Sequence, residues 1–274
     1  MDQTGRARGA VKLVLAALPL AAFGCGGGTA PARGDWGDPV WSDEFDGATA
    51  GQSPDPTKWG YDIGTGWGNQ QQEFDTDRPS NVSLDGQGNL AIVARRESYS
   101  GSAYTSARIT TKGRFAQQYG KFEARIKLPI GPGLWPAFWL LGANNDTASW
   151  PLCGEIDIME GRGQEPLLNH GSLHGPGYSG GNAVTRTAPL ADTGFHVYSV
   201  EWSKDEINFL IDGVVYEIVK ASNLPSGTSW VFDHPFFIIL NVAVGGNYVG
   251  SPSAATQFPQ TMLVDYVRVY QRAP

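Results

Sequence analysis

The sequence predicts an all-β protein: a two-sheet antiparallel β-sandwich. Three observations carry that expectation. Short segments with strict two-residue alternation recur along the chain. Glycine (36) and proline (18) are abundant enough in 274 residues to supply many tight turns. No stretch keeps a helical apolar period over three turns. An aromatic content of 11% adds side chains that favour pleated, half-buried surfaces.

The strands can be placed in order. Asn89–Ala94 is an apolar run behind the Asp85-Gly86-Gln87-Gly88 turn. Residues 121–128 alternate Phe122, Ala124, Ile126 and Leu128 with Lys121, Glu123, Arg125 and Lys127, so one face is buried and the other is charged. Residues 196–202 alternate again. Asp212-Gly213, set between 207–211 and 214–218, is a strong two-residue hairpin signal. Residues 236–244 are almost continuously apolar, as expected of a strand covered on both faces. Residues 264–270 close the chain as a further strand.

The amino terminus reads differently. Basic residues Arg6, Arg8 and Lys12 gather at the start of a largely apolar run from Val11 to Phe23, the pattern of a signal peptide and too short to span a bilayer. Residues 1–24 are therefore expected to direct export, which places the protein outside the cell or in the cell envelope. The run ends at Ala22-Phe23-Gly24-Cys25, which resembles a bacterial lipobox in which Cys25 becomes the lipidated first residue. On this reading the membrane is engaged only through that anchor. Residues 25–35, rich in Gly, Ala and Pro, read as a linker. Residues 36–274 contain no second linker and no repeat, and are expected to form one catalytic domain.

Composition narrows the function. The net charge is −7, more negative once the basic leader is set aside, so the domain has no electrostatic reason to bind nucleic acid or anionic polysaccharide. A neutral substrate fits. With Cys25 modified or removed, Cys153 has no disulfide partner.

The segment Trp150-Pro-Leu-Cys-Gly-Glu-Ile-Asp-Ile-Met-Glu160-Gly carries the chemistry. On a strand, Glu155 and Asp157 share one face while Ile156 and Ile158 take the other. Unbroken alternation would then bury Glu160 among isoleucines, at high cost for an unpaired carboxylate. A one-residue bulge near Ile158–Met159 removes the conflict and returns Glu160 to the acidic face. The two glutamates then behave as if four positions apart, about 13 Å along the strand. Leaning together, their carboxyls can come within roughly 5–6 Å, the separation used by retaining glycosidases. Glu155 is assigned as nucleophile, Asp157 as its electrostatic partner and Glu160 as acid/base. Three like charges this close must raise at least one pKa. A solvent-facing acidic strand or a cation site is the competing reading, although calcium usually takes its oxygens from loops.

Neighbouring residues suit a carbohydrate. Trp135 and Trp139 share a strand face opposite Phe138, and indole faces stack on sugar rings. The segment containing Trp67, Asn69 and Glu73 offers amides that could read hydroxyls, or forms a plain surface turn. His174 is expected to reach Glu160 from a strand paired with the acidic one. His170, His196 and His234 show no metal-ligand spacing with it.

Taken together these residues resemble glycoside hydrolase family 16. Gly154-Glu-Ile-Asp-Ile-Met-Glu160 matches its signature in the form, with an additional Met, that laminarinase-like endo-β-1,3-glucanases carry; the lichenases have a shorter form. Further matches are Trp41-Ser-Asp-Glu-Phe45, Gly68-Asn69, Tyr119-Gly-Lys-Phe-Glu-Ala-Arg125, Trp135-Pro-Ala-Phe-Trp139, His174-Gly-Pro, Glu201-Trp202, Asn241-Val-Ala-Val-Gly-Gly246 and Val264-Asp-Tyr-Val-Arg-Val-Tyr270. The resemblance implies a concanavalin-like jelly roll with a concave substrate cleft, retaining chemistry on a neutral β-glucan and no catalytic cofactor. Many members hold a structural Ca²⁺, which here would draw on Asp265 and on carbonyls near Glu44 and Gly88. Gln70-Gln-Gln-Glu73 departs from the Asn-Glu-Leu-Gln that many laminarinases show after Gly-Asn.

The sequence thus points to an exported, monomeric endo-β-1,3-glucanase. Two alternatives remain at this level. One is the same fold acting on mixed-linkage β-1,3-1,4-glucan or another β-glycan, by hydrolysis or transglycosylation. The other is a lectin that binds glycan without turnover.

Overall fold

The structure is a computed structural model and describes residues 36–47 and 49–272. The expected signal peptide, linker and Cys25 lie outside the described residues. The described residues form one compact unit.

Among the described residues seventeen strands follow one another: β1 (Trp41–Asp43), β2 (Gly60–Asp62), β3 (Glu73–Asp75), β4 (Val82–Leu84), β5 (Leu90–Tyr99), β6 (Ser102–Ser106), β7 (Arg108–Thr110), β8 (Gly120–Lys127), β9 (Leu134–Gly142), β10 (Glu155–Gly161), β11 (Leu168–His174), β12 (Val184–Pro189), β13 (Phe195–Ser203), β14 (Glu206–Ile211), β15 (Val214–Lys220), β16 (Phe236–Val244) and β17 (Gln260–Tyr270). Two single turns of 3₁₀ helix, Gly180–Asn182 and Ala221–Asn223, are the helical segments among the described residues. The strands build two sheets. One runs β15-β14-β13-β8-β17-β5-β6-β3, with β1 beside β17 and β4 beside β5; the other runs β12-β11-β10-β9-β16-β7-β2. Pairing is antiparallel throughout except between β3 and β6, which are parallel. This is the jelly-roll sandwich the sequence predicts, with one parallel pair that local patterning does not reveal.

The core lies between the sheets. Phe122, Ala124 and Ile126 from β8 meet Phe138 and Leu140 from β9, Ile156 from β10, and Ile238, Leu240 and Val242 from β16. All nine residues of β16 are buried, because its outer face is covered as well. There Phe237 and Ile239 join Leu141 and Cys153 in a small second cluster. The Asp212-Gly213 hairpin forms with φ of 48° and 76°, both left-handed, as a turn that follows the strand twist requires.

The strand that matters most is bulged. Against β9, Asp157 faces Trp139, but Met159 rather than Ile158 faces Phe138. Against β11, Asp157 faces Ser172 and Glu160 faces His170, so Ile158 and Met159 both stand opposite Gly171. Both side chains enter the core, each worth about 1.5–3 kcal/mol of burial. Just ahead of the strand, Gly154 has φ +73°, and a Cβ there would lie 2.8 Å from the Phe236 ring.

This register makes an unusual prediction. Deleting Met159 removes the surplus residue with respect to both neighbours, leaving plain alternation with all three acids outward. The variant should fold cooperatively in a thermal melt, destabilised by the about 2–5 kcal/mol expected for one lost buried side chain. Inserting an alanine after Met159 instead shifts Glu160 toward the core and should destabilise far more.

Candidate active site

The seven-stranded sheet turns its outer face to a cleft of about 420 Å³ lined by Glu155, Asp157 and Glu160 from β10, Trp135, Ala137, Trp139 and Leu141 from β9, Asn241 from β16 and Arg108 from β7. Trp67, Gly68, Asn69 and Gln71 close one wall, and Trp150 stands at the rim. The alternation of β9 explains its four lining residues: every second side chain faces the cleft, and Phe138 and Leu140 face the core.

The bulge brings the three acids to one surface. Asp157 and Glu160 are buried, and Glu155 is nearly so. Loss of water drives all three pKa values upward, as the neutral acid survives desolvation better than the anion. Glu160 is pushed up to about 8, chiefly by burial and then by the charge of Asp157; the Trp135 N–H and His174 oppose the rise. Asp157 is raised by burial. Glu155 is raised by burial and by Asp157, against the pull of His174 and Arg108. The cluster therefore holds fewer than three negative charges. A proton kept on Asp157 relieves part of the rise at Glu155, the most accessible of the three.

His174 is placed by β11 at Asp157 and Glu155, not at Glu160 as the sequence reading expected. Its Nε2 is 2.9 Å from Asp157 Oδ2 and 3.6 Å from Glu155 Oε1. The antiparallel register sets His174 opposite Glu155 and gives the position opposite Glu160 to His170. The Gly180 N–H donates to His174 Nδ1 at 3.1 Å, so the neutral ring carries its proton on Nε2, facing the acids. Ligand atoms of Glu155, Asp157 and His174 lie within 4.8 Å of one another and could hold a cation.

The aromatic walls are fixed by polar contacts. Trp139 Nε1 donates to Asn241 Oδ1 at 2.8 Å, and Trp135 Nε1 donates to Glu160 Oε1 at 2.8 Å. The Arg108 guanidinium lies 5.0 Å from the Trp67 ring and 4.8 Å from the Trp139 ring, and its Nε donates to Asp62 at 2.9 Å. The Asn69 carbonyl accepts the Asn247 N–H at 2.7 Å, and Gln72 Nε2 donates to Ser251 at 2.7 Å, so the wall is tied to the loop after β16. Behind it Glu73 is buried, accepts the Val244 N–H at 2.8 Å and is pushed up to about 7 by desolvation. Asp75 beside it is raised by burial and by Glu73.

Sequence reasoning missed Arg108, whose surroundings carry no local motif. Asn241 was detectable as the lone polar residue in an apolar run. Trp150, not assigned from sequence, is 48% exposed at the cleft rim with its ring 5.9 Å from that of His174. Cys153 is buried and free, with its thiol pushed up by burial, which suits packing and not nucleophilic attack. The structural calcium expected from the sequence would take the Asp265 side chain together with backbone carbonyls near Glu44 and Gly88. Asp265 receives Arg125 Nη1 at 2.6 Å, and both oxygens of Glu44 receive Arg268, the closest at 2.7 Å. A calcium ion taking Asp265 as a ligand would share that carboxylate with the Arg125 guanidinium; the Glu44–Arg268 pair involves side chains, whereas the expected ligands near Glu44 and Gly88 are backbone carbonyls.

The comparisons with known proteins agree with this geometry. The model of glycosyl hydrolases family 16 matches residues 63–268. A beta-glucanase of Rhodothermus marinus is 42% identical over 244 residues, covering 85% of this chain and 84% of that protein. The laminarinase catalytic domain of Thermotoga maritima superposes with a TM-score of 0.80 at 45% identity, over 86% of this chain and 99% of that one. SCLam, a non-specific endo-β-1,3(4)-glucanase, superposes with a TM-score of 0.77 at 37% identity, over 86% and 91%. With its acidic strand, its aromatic cleft and a match over most of the domain, the chain belongs to glycosyl hydrolases family 16 and is a glycoside hydrolase.

Proposed function

We propose that this enzyme is a retaining endo-β-1,3-glucanase. The observation that carries the reading is the bulged strand β10, which presents Glu155, Asp157 and Glu160 together on the floor of a tryptophan-lined cleft. Glu155 attacks the anomeric carbon while Glu160 gives its proton to the departing glycosidic oxygen. Water then attacks the glycosyl-enzyme, with Glu160 taking a proton back. Asp157 and the Nε2–H of His174 adjust the charge on Glu155 as its oxygen bonds to carbon and is released. The walls supply stacking for several rings and few charges, which suits a neutral glucan. Similarity to laminarinases supports the β-1,3 linkage, and similarity to SCLam keeps mixed-linkage glucan as the second reading. The enzyme works as an exported monomer on this reading, with Cys25 as a lipid anchor; mass spectrometry of the mature amino terminus tests the anchor.

Laminarin should be cut to short oligosaccharides whose first-formed anomer is β, seen by proton NMR. Lichenan and agarose should be cut more slowly or not at all. A faster rate on lichenan would favour the second reading, and an initial α-anomer would overturn the retaining mechanism. Glu155→Ala should reduce kcat by about 10⁴ or more, and Glu160→Ala by about 10²–10⁴ on laminarin.

Glu160 must be protonated for the first step, so kcat/KM should fall as pH rises through about 8. The same carboxyl costs stability. Its pKa is higher in the folded protein than in the unfolded chain, so its contribution is fully favourable below about 4.5 and is lost progressively up to about 8. Glu160→Gln should match the wild type in unfolding free energy at pH 4 and exceed it at pH 8, by an amount on the order of a few kcal/mol at most, read from denaturant melts at the two pH values.

No step of this mechanism draws on a metal. Dialysis against EDTA should leave laminarin hydrolysis unchanged at 25 °C. A fall in Tm alone would reveal a structural calcium despite the arginine pairs.

A further inference from the structure

The acid/base glutamate is held by a tryptophan that the cleft would otherwise use only as a wall. Among the described residues, the donor to the Glu160 carboxyl is the indole N–H of Trp135, 2.8 Å from Oε1. The indole is itself clamped. Its ring packs against Tyr248 at a centroid distance of 4.8 Å. Tyr248 is backed by the Arg162 guanidinium, 5.2 Å from its ring, and by the edge of His170 at 5.9 Å. Arg162 is in turn held by both oxygens of Glu165 at 3.2 Å. Trp135 enters from β9, Arg162 follows β10, and Tyr248 follows β16, so three chain segments converge to fix one N–H.

That N–H has two physical effects on a carboxyl that must lose and regain a proton. It occupies Oε1, which makes Oε2 the oxygen that carries the proton. It also strengthens as the proton leaves, because a hydrogen bond to an ionised acceptor is roughly twice as strong as one to a neutral acceptor. An interaction that is stronger in the transition state than in the ground state accelerates the chemical step.

We propose that Trp135, clamped by Tyr248, is the positioning residue for proton transfer: its N–H holds Oε1 of Glu160 so that Oε2 delivers the proton to the departing oxygen. As the anomeric C–O bond breaks, its electron pair goes to that oxygen, which takes the Oε2 proton, and an oxygen of Glu155 forms the new bond to carbon. The negative charge left on Glu160 settles on the oxygen facing the indole. In the second half-reaction a water proton returns to Oε2 and the same N–H releases its tighter grip. This inference rests on the acid/base role of Glu160 given above.

The test compares kcat/KM on laminarin and on a 2,4-dinitrophenyl β-laminaribioside, whose leaving group departs without protonation. Glu160→Ala should lose activity on laminarin and keep it on the dinitrophenyl substrate. Trp135→Phe, which keeps a ring but removes the N–H, should show the same split in smaller measure, about 10- to 100-fold on laminarin, the scale of one hydrogen bond to a charged group. Its alkaline limb should also move to higher pH, since the anion has lost its donor. Glu160→Ala and Glu160→Ala/Trp135→Phe should give the same ratio of rates on the two substrates. Equal losses on both substrates with an unmoved alkaline limb would reduce Trp135 to a stacking wall and overturn the proposal. Absence of the split in Glu160→Ala itself would overturn the acid/base assignment instead, and this inference with it. If Trp135→Phe gives no cooperative melt, Tyr248→Leu frees the intact indole and decides the matter by the same comparison.

Discussion

Everything in this site depends on keeping three carboxyls on one desolvated strand surface. Charges at such spacing repel strongly, and burial removes the water that would screen them. The protein meets this with protons rather than with counter-charges. Arg108, the arginine acting on Glu155, stands at the far wall and is already paired with Asp62. The result is a general acid, Glu160, that keeps its proton near neutrality, beside two carboxyls that burial also drives upward. The desolvation that destabilises the fold locally is the same desolvation that makes Glu160 an acid.

The bulge is the mechanical counterpart of that electrostatic arrangement. It lets two consecutive side chains, Ile158 and Met159, enter the core while the next residue returns to the cleft. A regular pleat would have to choose between burying a carboxyl in the core and exposing an apolar side chain to substrate. One surplus residue satisfies both faces of the sheet, and Gly171 across the ladder leaves room on the partner strand, where a Cβ would sit 2.2 Å from the Tyr216 hydroxyl.

Around the acids, several polar atoms of the cleft have protein partners that hold its walls in place. Trp139 is bonded to Asn241, Arg108 sits between two indoles, and the Asn69 carbonyl is held by the backbone of the loop after β16. Buried Glu73 anchors the same wall to the end of β16. Stacking surfaces held in this way lose little entropy when a sugar ring is bound.

Much of this was legible in the chain itself. Alternation at residues 121–128 and the apolar run at 236–244 determine which faces are buried, because the side-chain period of a strand is two whatever it pairs with. The clash between Glu160 and that same period required a bulge before any partner strand was known. Long-range register was not legible, since it is set by which strands meet across the sheet. Pairing of β10 with β11 moved His174 to Asp157 instead of Glu160, and strand order brought Arg108 from β7 to the wall facing Trp139. The sequence alone therefore determined the sandwich, the acidic strand and its kink, each of them local consequences of burial and alternation. Only the tertiary structure decided which base, which indole and which arginine stand beside each acid, because those contacts join residues that only the sheet order makes neighbours.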